Sequence, residues 1–476
     1  MTRNVRGRTR PQAATRRRPS TQTRPGGHGR SPAQPSFTPL AELTASVAPS
    51  VLHAVVQEHK WLAAALAAAI DGRARTTAKD RVWIGRSLGA LLRWWGWIEP
   101  LHLPMIEEQL LLAWLLDSAE LSGMARAWAV RSGRQPERLS PVGDAPNWTA
   151  RAEGLKRWMA GRPLNADPWR LFPDWMRDQL PVPPGIATPK VRRLDFLAAL
   201  QTRPPLWVGV RGQEDKTVWT ALRDAELKPW IHRRIPTAAK LPPDTDLMPF
   251  DAFRTGQLVI EDITSQAVAI VCDPDPGERW WDVNAESGLH ALHLAALMRG
   301  KGLVVCTFEQ EHRRHETAVR LRRGAFHNIT TRLLDSRRAA GKPGRYDGVL
   351  VDAVCSGIGS WRRHPDARWT MPATRLPELV ARQLQCLDAA STGVRPGGTL
   401  VYTVLTVTRS ETTEVVSAFL ASHPEFRLEA FPHPLEDAPP AAMIQLWPQV
   451  HDGDARFIAR MVRSAAPKQV DRGTAP

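Results

Sequence analysis

The sequence predicts an α/β chain in which a helical domain and a small α+β module precede a doubly wound parallel sheet. Three observations lead to this prediction. Apolar residues recur at helical spacing from Leu40 to about Leu180, a proline-rich break follows at 181–185, and short apolar strands alternate with helices from about Phe250 onward. Because this alternation is typical of parallel sheets, we expect ligands at the C-terminal ends of the strands.

The size and composition of the chain indicate several folded domains. Its 476 residues exceed one ordinary core, and 43% apolar residues exclude a wholly disordered chain. No stretch approaches the roughly 20 uninterrupted apolar residues of a membrane helix, and no apolar run follows Met1–Asn4, so we expect neither a membrane span nor a secretory signal. The cysteines form no C-x-x-C pair, which fits a reducing cytoplasm without disulfides or metal: Cys272, Cys306, Cys355 and Cys386.

The positive charge is unevenly distributed along the chain. Lysine and arginine total 64 against 48 acidic residues, a net charge of +16, yet residues 251–463 contain 25 of each sign. Residues 1–37 carry nine arginines and no acid, and are predicted to be disordered, as are residues 464–476. We therefore expect an anionic partner to bind the N-terminal half, with residues 1–37 either a nucleic-acid tether or a solvated tail.

Residues 38–182 are predicted to form the helical domain and residues 183–250 the small module. In the module, Pro205–Arg211 reads as a strand and Lys216–Glu226 as a helix, followed by a basic segment with Arg233 and Arg234. Such a module either contacts RNA or serves as a plain linker domain. The tryptophans of the helical domain are expected to pack in its core rather than to stack on bases: Trp94, Trp95, Trp97, Trp114 and Trp128.

Residues 251–463 contain the alternating pattern of the parallel sheet. The predicted strands are Trp280–Val283, Leu303–Thr307, Asn328–Leu334, Val349–Val351 and Thr399–Val404. The predicted helices are Ala291–Met298, Glu311–Arg323, Leu376–Ala390 and Glu411–Ala421.

Motifs at the ends of these strands resemble a known enzyme family. Val351–Gly357 (V-D-A-V-C-S-G), then Arg362–Asp366 (R-R-H-P-D) and Trp369, resemble the fourth motif of the Sun/Nop-type (RsmB/RsmF-like) RNA cytosine-5 methyltransferases, D-A-P-C-S-G followed by R-R-x-P-D and tryptophan. Further matches in order and spacing are Gly256, Asp262, Ser265, Gln266, Gln383, Leu387 and Gly397–Tyr402. The resemblance covers about residues 205–463, and the helical segment weakly resembles the NusB-like domain of many members.

The resemblance implies a Rossmann-like class I methyltransferase domain that uses S-adenosylmethionine and acts on rRNA or tRNA, as a monomer without a metal. In this family a cysteine thiolate adds to C6 of cytosine, and C5 then takes the methyl group. Asp352 matches the carboxylate that holds the pyrimidine edge, and Cys355 matches the cysteine that helps to resolve the adduct. The implied cofactor residues are Asp282, Gly288, Glu309, Asp335 and Asp352, and the implied RNA-binding residues are Arg362, Arg363, His364, Arg233 and Arg234.

The sequence departs from the family pattern at two places. Leu405 occupies the position of the nucleophilic cysteine, and leucine has no lone pair with which to attack a pyrimidine. The cofactor loop, D-x-C-A-A-P-G-G-K in the family, reads Asp282–His290 (D-V-N-A-E-S-G-L-H) here. Leu289 is predicted to crowd the cofactor, and Phe308 aligns with the acid that holds the ribose, with Glu309 beside it.

Three hypotheses follow. The protein could be an active RNA cytosine-5 methyltransferase with Cys355 as its nucleophile. It could use S-adenosylmethionine and RNA in chemistry that needs no thiol. It could also have kept the fold and the RNA surface while losing catalysis. We favour the third hypothesis, because the nucleophile and most of the cofactor loop are altered together.

Overall fold

The structure is a computed structural model that describes residues 37–71, 76–145, 147–159, 165–183, 189–212, 215–324, 326–334 and 343–465. The two predicted disordered tails lie almost entirely outside these ranges, as does Asp335.

Residues 37–200 form a helical domain in the described part of the chain. Its longest helix begins at a capping box, in which Thr77 and Asp80 each accept a hydrogen bond from the other's backbone amide. The helices are α1 (Thr38–Val56), α2 (Leu62–Ile70), α3 (Ala78–Ile98), α4 (Ile106–Asp117), α5 (Gly123–Arg131), α6 (Trp148–Trp158), α7 (Met176–Gln179) and α8 (Pro189–Leu200). Short 3-10 turns lie at Glu99–Leu101, Pro136–Arg138 and Pro168–Leu171.

The core of this domain is rich in tryptophan, as the sequence predicts. Trp94, Trp97, Trp114 and Trp128 are at most 2% exposed, and Trp95 is half-buried. Large rings that bury their apolar faces stabilise helix contacts strongly. The packing role predicted for these tryptophans is therefore confirmed.

Helix α8 corrects the predicted boundary between the helical domain and the module. The sequence places this boundary at 182/183, but Phe196, Leu197 and Leu200 are buried in the helical core. A helix belongs to the core that its apolar face joins, so the helical domain continues to Leu200 despite the proline-rich break.

The small module is a four-stranded antiparallel sheet with two helices. Its elements are β1 (Leu206–Val210), α9 (Asp215–Asp224), β2 (Trp230–Ile231), β3 (Ala238–Leu241), α10 (Asp251–Arg254) and β4 (Leu258–Ile260). The strand order is β2-β3-β1-β4, and Val208 in β1 lies opposite Ile260 in β4. The predicted strand and helix are confirmed. The predicted end of the module at residue 250 is too early, because strand pairing brings 258–260 into its sheet.

The C-terminal domain is a large sheet covered by helices. Its first elements are α11 (Ile263–Cys272), β5 (Arg279–Val283), α12 (Leu289–Leu297), β6 (Leu303–Phe308), α13 (Glu311–Arg323), β7 (Ile329–Leu333) and β8 (Tyr346–Asp352). The remaining elements are α14 (Ala367–Thr370), α15 (Leu376–Ser391), β9 (Val394–Val404), α16 (Thr413–Ser422), β10 (Phe426–Leu428), β11 (Met443–Leu446), α17 (Pro448–His451) and β12 (Arg456–Arg463). The 3-10 turns Ile358–Ser360 and Ala373–Arg375 flank α14.

The strand order confirms the α/β prediction. It is β10-β12-β9-β8-β5-β6-β7, with β11 beside β12, and the five strands from β9 to β7 are parallel. Successive residues of β5 face opposite sides of the sheet: Trp280 and Trp281 are buried in separate cores. The parallel strands end at one edge, where they place Val283, Phe308 and Asp352 near one another.

The helical domain packs directly on the loop that follows β8. Trp361 is fully buried in the helical core. The indole of Trp369 donates to the backbone carbonyl of Leu92 (2.8 Å), and the amide of Leu62 donates to Oδ2 of Asp366 (2.9 Å). The loop carrying the R-R-H-P-D motif is therefore a contact between domains.

Among the residues that the structure describes, one helix, α1, is long and apolar enough to span a membrane by length and composition alone, and 44% of its apolar window is buried inside the protein.

Candidate active site

The ends of β5, β6, β8 and β9 surround two adjoining cavities. The first has a volume of about 240 Å³ and the second about 390 Å³. Asn284, Glu286 and Val354 line both cavities, so the two spaces adjoin at the end of β5. This edge is where the strand pattern predicts a ligand.

The loop between β5 and α12 has a tight backbone. Gly288 has a φ of +70°, and a Cβ built on it would lie 2.5 Å from Cγ2 of Thr317. Asn284 and Glu286 also have positive φ angles, of 55° and 22°. The hydroxyl of Thr317 donates to the carbonyl oxygen of Glu286 at 2.6 Å, which ties the loop to α13. Glycine is thus required at 288 by both space and conformation.

The first cavity is open and polar. Glu309 lines it together with Gln310, Arg313 and Arg382, and its carboxylate pairs with the guanidinium of Arg382. Phe308, although it borders the cavity, is only 1% exposed and belongs to the core. Glu309 therefore lines the cavity, although Phe308 is the residue at the position of the family's ribose-holding acid.

Leu289 does not fill either cavity. Its side chain packs on the core beside Leu292 and lines a separate groove with Val259 and Ile260. The prediction that Leu289 crowds the cofactor is therefore wrong, because the helix start at α12 directs this side chain away from the strand ends.

Asp352 lies in a network of ion pairs at the end of β8. Nε2 of His290 is 3.0 Å from Oδ2 of Asp352, and Arg456 donates to Oδ1 at 3.2 Å. On its other side, Nδ1 of His290 is 3.9 Å from Oε1 of Glu261. Glu261 is itself fully buried and paired with the guanidinium of Arg211.

This network sets the charge of the site. Burial would raise the pKa of Asp352, but the charge of Arg456 and the hydrogen bond from His290 lower it to about 2. Burial likewise opposes the charged form of His290, yet its hydrogen bond and attraction to Asp352 raise its pKa overall. Burial raises the pKa of Asp282 to about 7. Asp352 is therefore ionised at neutral pH, whereas Asp282 is partly protonated.

Cys355 has an environment that disfavours its thiolate. Burial, together with the negative charges of Glu411 and Asp352, raises the pKa of the Cys355 thiol well above the usual range. Glu411 is fully buried and accepts hydrogen bonds from the amide of Ser356 (2.8 Å) and its hydroxyl (2.6 Å). It thus fixes the loop that carries Cys355 while keeping this thiol protonated.

The second cavity brings together the residues that the resemblance assigns to catalysis. Asp352, Cys355 and Leu405 all line it, with His290 and Arg456. An exposed tryptophan of the helical domain, Trp61, also lines this cavity. The position of the missing nucleophile is therefore occupied by an apolar side chain within the pocket.

The loop residues predicted to bind RNA have other partners. Arg362 is 4% exposed and donates to the carbonyl of Gly453 and to Oδ1 of Asp452, at 3.2 and 3.1 Å. Its predicted role in RNA binding is wrong in this structure, since its guanidinium is buried at the domain contact. Arg363 pairs with the buried carboxylate of Asp454 while 37% of its side chain stays exposed. His364 is exposed.

The two arginines of the small module are more accessible. The side chain of Arg233 is 89% exposed, and Nη2 lies 3.7 Å from Asp437. Arg234 pairs more closely with the same carboxylate and is 33% exposed. Their assignment to RNA binding stays a prediction, as does that of Asp335, which lies outside the described residues.

A cluster of His433, Glu436 and His451 has three possible metal ligands within 4.8 Å of one another. However, Nδ1 of His433 accepts hydrogen bonds from the amides of Leu435 and Glu436, at 3.3 and 3.1 Å. The neutral ring therefore carries its proton on Nε2, the atom that faces Glu436, and offers no lone pair there. We assign no metal to this cluster.

The sequence of the C-terminal domain also matches a methyltransferase family. Residues 269–462 match the family described as 16S rRNA methyltransferase RsmB/F. The matched stretch runs from α11 to β12 and so spans most of the C-terminal domain. The family resemblance seen in the motifs is thereby confirmed.

Curated relatives of the RsmB/F domain are ribosomal RNA small subunit methyltransferases B. The protein of Citrobacter koseri is 30% identical over 274 residues, and that of Klebsiella pneumoniae subsp. pneumoniae is 28% identical over 273 residues. Each alignment covers 56% of this chain and 62% of the relative. The chain thus spans about three fifths of the length of the curated relatives that it matches.

Solved structures show the fold over a longer stretch. PH0851 aligns with a TM-score of 0.66 at 21% identity, covering 89% of this chain and 98% of that one. NSun6 from Pyrococcus horikoshii with SFG aligns with a TM-score of 0.51 at 15% identity, covering 58% and 95%. These likenesses confirm a Rossmann-like methyltransferase fold, while the NusB-like nature of the helical domain stays a prediction.

Sequence reasoning missed three residues of the site. Arg456 lies on the antiparallel strand β12, far from any motif. Glu411 lies after β9 and Leu405, ahead of α16. Trp61 lies within the stretch from Leu40 to about Leu180 whose helical apolar spacing predicts packing rather than a site. Of the three, Glu411 offered a sequence signal, because it is the acid nearest to Leu405, six residues away.

Proposed function

We propose that this protein binds S-adenosylmethionine and structured RNA, rRNA or tRNA, in the cytoplasm, and that its cytosine-5 methyl transfer is impaired. The observation that carries the proposal is the position of Leu405. It lines the same cavity as Asp352 and Cys355, at the place where the RsmB/F resemblance requires the nucleophilic cysteine.

The size and lining of the cavities support the proposed binding of S-adenosylmethionine. The first cavity, of about 240 Å³, lies just below the range of about 300–1,000 Å³ expected for small-molecule sites, and it adjoins the second cavity of about 390 Å³. Glu309 faces the first cavity, where its carboxylate would hold ribose hydroxyls, and the backbone at Gly288 allows close approach. When bound, S-adenosylmethionine supplies an electrophilic methyl group.

The electrostatics of the loop suit a cation near Glu286. Burial, with the charges of Asp352 and Glu309, raises the pKa of Glu286. A positively charged group placed among these carboxylates would lower the free-energy cost of ionising Glu286 and would stabilise the ionised forms of all three. The sulfonium and ammonium groups of S-adenosylmethionine carry such charge.

The residues of the second cavity support the proposal that cytosine-5 methyl transfer is impaired. An addition to C6 of cytosine needs an ionised thiol, which Leu405 cannot provide. Asp352 is ionised and held by His290 and Arg456, so the carboxylate function is retained. Binding without efficient transfer is therefore the expected outcome.

Two measurements test this proposal. Calorimetric titration is expected to show S-adenosylmethionine binding at or below millimolar concentration, and no heat at that concentration would overturn the cofactor assignment. RNA containing 5-azacytidine is expected to form no covalent adduct with the wild-type protein on a denaturing gel.

The Leu405→Cys variant tests the role of the missing nucleophile. A covalent adduct in this variant, with none in a matched Leu405→Ser protein, would show that the rest of the site is competent. If Leu405→Cys forms no adduct although S-adenosylmethionine and RNA bind, the impairment extends beyond the nucleophile.

One observation favours a second candidate function, an active enzyme with Cys355 as nucleophile. Cys355 is half-buried and lines the cavity beside Asp352. In that case the wild-type protein would form the adduct and Cys355→Ala would abolish it. The raised pKa of the thiol argues against this candidate.

A further inference from the structure

Trp61 is an exposed tryptophan at the second cavity. It immediately precedes α2, its residue is 58% exposed, and it lines the second cavity together with Asp352 and Leu405. The helical domain thus contributes a large aromatic side chain to a site otherwise built from the C-terminal domain.

Residues on both sides of Trp61 contact the C-terminal domain, one through its side chain and one through its backbone amide. Nδ1 of His59 lies 2.9 Å from the carbonyl oxygen of Trp369, and the amide of Leu62 donates to Oδ2 of Asp366 at 2.9 Å. His59 also has a φ of 55°, a conformation that non-glycine residues rarely adopt. Trp61 is therefore held in place rather than carried on a free loop.

The exposure of Trp61 is not explained by packing. Trp94, Trp97 and Trp128, which stabilise the helical domain, are each at most 1% exposed. In the described part of the chain, no aromatic ring or guanidinium is found stacked on the indole of Trp61. An exposed, positioned aromatic residue with an open face is typical of a binding surface.

We propose that Trp61 stacks on a nucleobase of RNA bound at the second cavity. Proteins recognise unpaired bases by stacking them on aromatic side chains while polar groups bind their edges. Asp352, Ser265 and Arg456 supply such polar groups in the same cavity. This inference rests on the proposed RNA-binding function and assigns a substrate-positioning role to the helical domain.

The base is that of the RNA and not the adenine of the cofactor. Trp61 borders only the second cavity, whereas Glu309 and Arg382 border only the first. Loss of the indole is therefore expected to weaken RNA binding while leaving the affinity for S-adenosylmethionine unchanged.

The test uses the full chain and a fluorescein-labelled oligocytidylate RNA of about 12 nucleotides, followed by fluorescence anisotropy. Trp61→Ala is expected to raise the Kd about 5- to 100-fold, the range of base–aromatic stacking, and Trp61→Phe to keep it within about 3-fold. The control Val82→Ala, at a 69% exposed position in the same domain, should leave the Kd unchanged.

Two further readouts distinguish stacking from other causes. Because the indole is uncharged, Trp61→Ala should lower affinity without changing the salt dependence of RNA binding. Wild-type protein that binds neither oligocytidylate nor rRNA would overturn the RNA function itself. Normal RNA binding by Trp61→Ala, or a parallel loss of S-adenosylmethionine binding, would overturn the role of Trp61 alone.

Discussion

Nε2 of His290 lies 3.0 Å from Oδ2 of Asp352, at the loop position where the family pattern has a lysine. The contact with Asp352 favours the protonated form of this histidine, since it raises the pKa of His290 despite burial. In the sequence, His290 in place of this lysine is one of the departures from the family's cofactor loop. In the structure, the imidazole lies beside an ionised carboxylate that it hydrogen-bonds.

Replacing His290 by glutamine is expected to make stability less dependent on pH. A histidine with a raised pKa in the folded state stabilises the protein fully below its ordinary value, and this contribution is lost as pH rises through the folded pKa. The excess in free energy of unfolding of wild type over His290→Gln should be larger at about pH 5.5 than at about pH 9, by about 1.4 kcal/mol for each unit by which folding raises the pKa of His290.

Urea denaturation at a series of pH values measures this difference. His53→Gln is the control, since His53 is 66% exposed and pairs only with Glu58 across 3.5 Å. A difference between wild type and His290→Gln that stays constant over the pH range would contradict the ion-pair assignment.

Gly288→Ala is expected to destabilise the cofactor loop through a steric contact. The added methyl group would meet Cγ2 of Thr317 at 2.5 Å, and the φ of +70° disfavours any side chain. We expect a loss of about 2–3 kcal/mol in the free energy of unfolding. The double variant with Thr317→Ser should recover part of this loss, because serine removes Cγ2 but keeps the hydroxyl that binds the carbonyl of Glu286.

Thermal and urea unfolding of the two single variants and the double variant test this coupling. If the effects of Gly288→Ala and Thr317→Ser simply add, the contact is not the cause of the destabilisation.

Arg368→Met is expected to weaken the contact between the helical and C-terminal domains. Arg368 is 1% exposed and donates to the carbonyl of Leu171 (3.1 Å) and to Oε1 of Gln201 (2.9 Å). Its removal leaves these acceptors without a donor, at an expected cost of about 3 kcal/mol or more. Arg126→Met, at an exposed position of α5, is the control and should change stability by less than about 0.5 kcal/mol.

Limited proteolysis of the linker around 200–206 would report the same weakening as faster cleavage in Arg368→Met. An unchanged unfolding midpoint and unchanged cleavage would show that this side chain does not hold the domains together.

Glu411→Gln is expected to make Cys355 more reactive. The negative charge of Glu411 contributes to the raised pKa of the Cys355 thiol, after burial. Removing this charge should raise the thiolate fraction and speed alkylation by iodoacetamide about 2- to 10-fold, since one pKa unit changes that fraction tenfold.

Peptide mass spectrometry resolves the four cysteines separately, so Cys272, Cys306 and Cys386, all buried, act as internal controls. An equal rise at all four sites would indicate loss of structure rather than an electrostatic effect on Cys355. An unchanged rate at Cys355 would show that burial alone sets its pKa.

Local patterns predicted most of the elements but not their long-range partners. The strand that ends at Asp352 and the helix Glu311–Arg323 follow directly from apolar periodicity, and both are observed. Helix α8 and strand β4 were assigned to the wrong units, because each joins its sheet or core through residues distant in sequence.

The candidate site was likewise predicted in its residues but not in all of their contacts. Asp352, Cys355 and Leu405 were located by motif, and the structure brings them to one cavity. Arg362 also belongs to a motif, yet its guanidinium is buried against Asp452 and Gly453. A motif specifies residue types and spacing, but it does not show which face of a loop a neighbouring domain covers.

The sequence by itself determined the methyltransferase fold, the placement of Asp352 and the substitution of the nucleophile by Leu405, because these depend on periodicity and on residue identity. Only the tertiary structure decided that His290 and Arg456 hold Asp352 and that Trp61 of the helical domain borders its cavity. Charge pairing and burial depend on distances between residues far apart in the chain, and those distances exist only once the chain is folded.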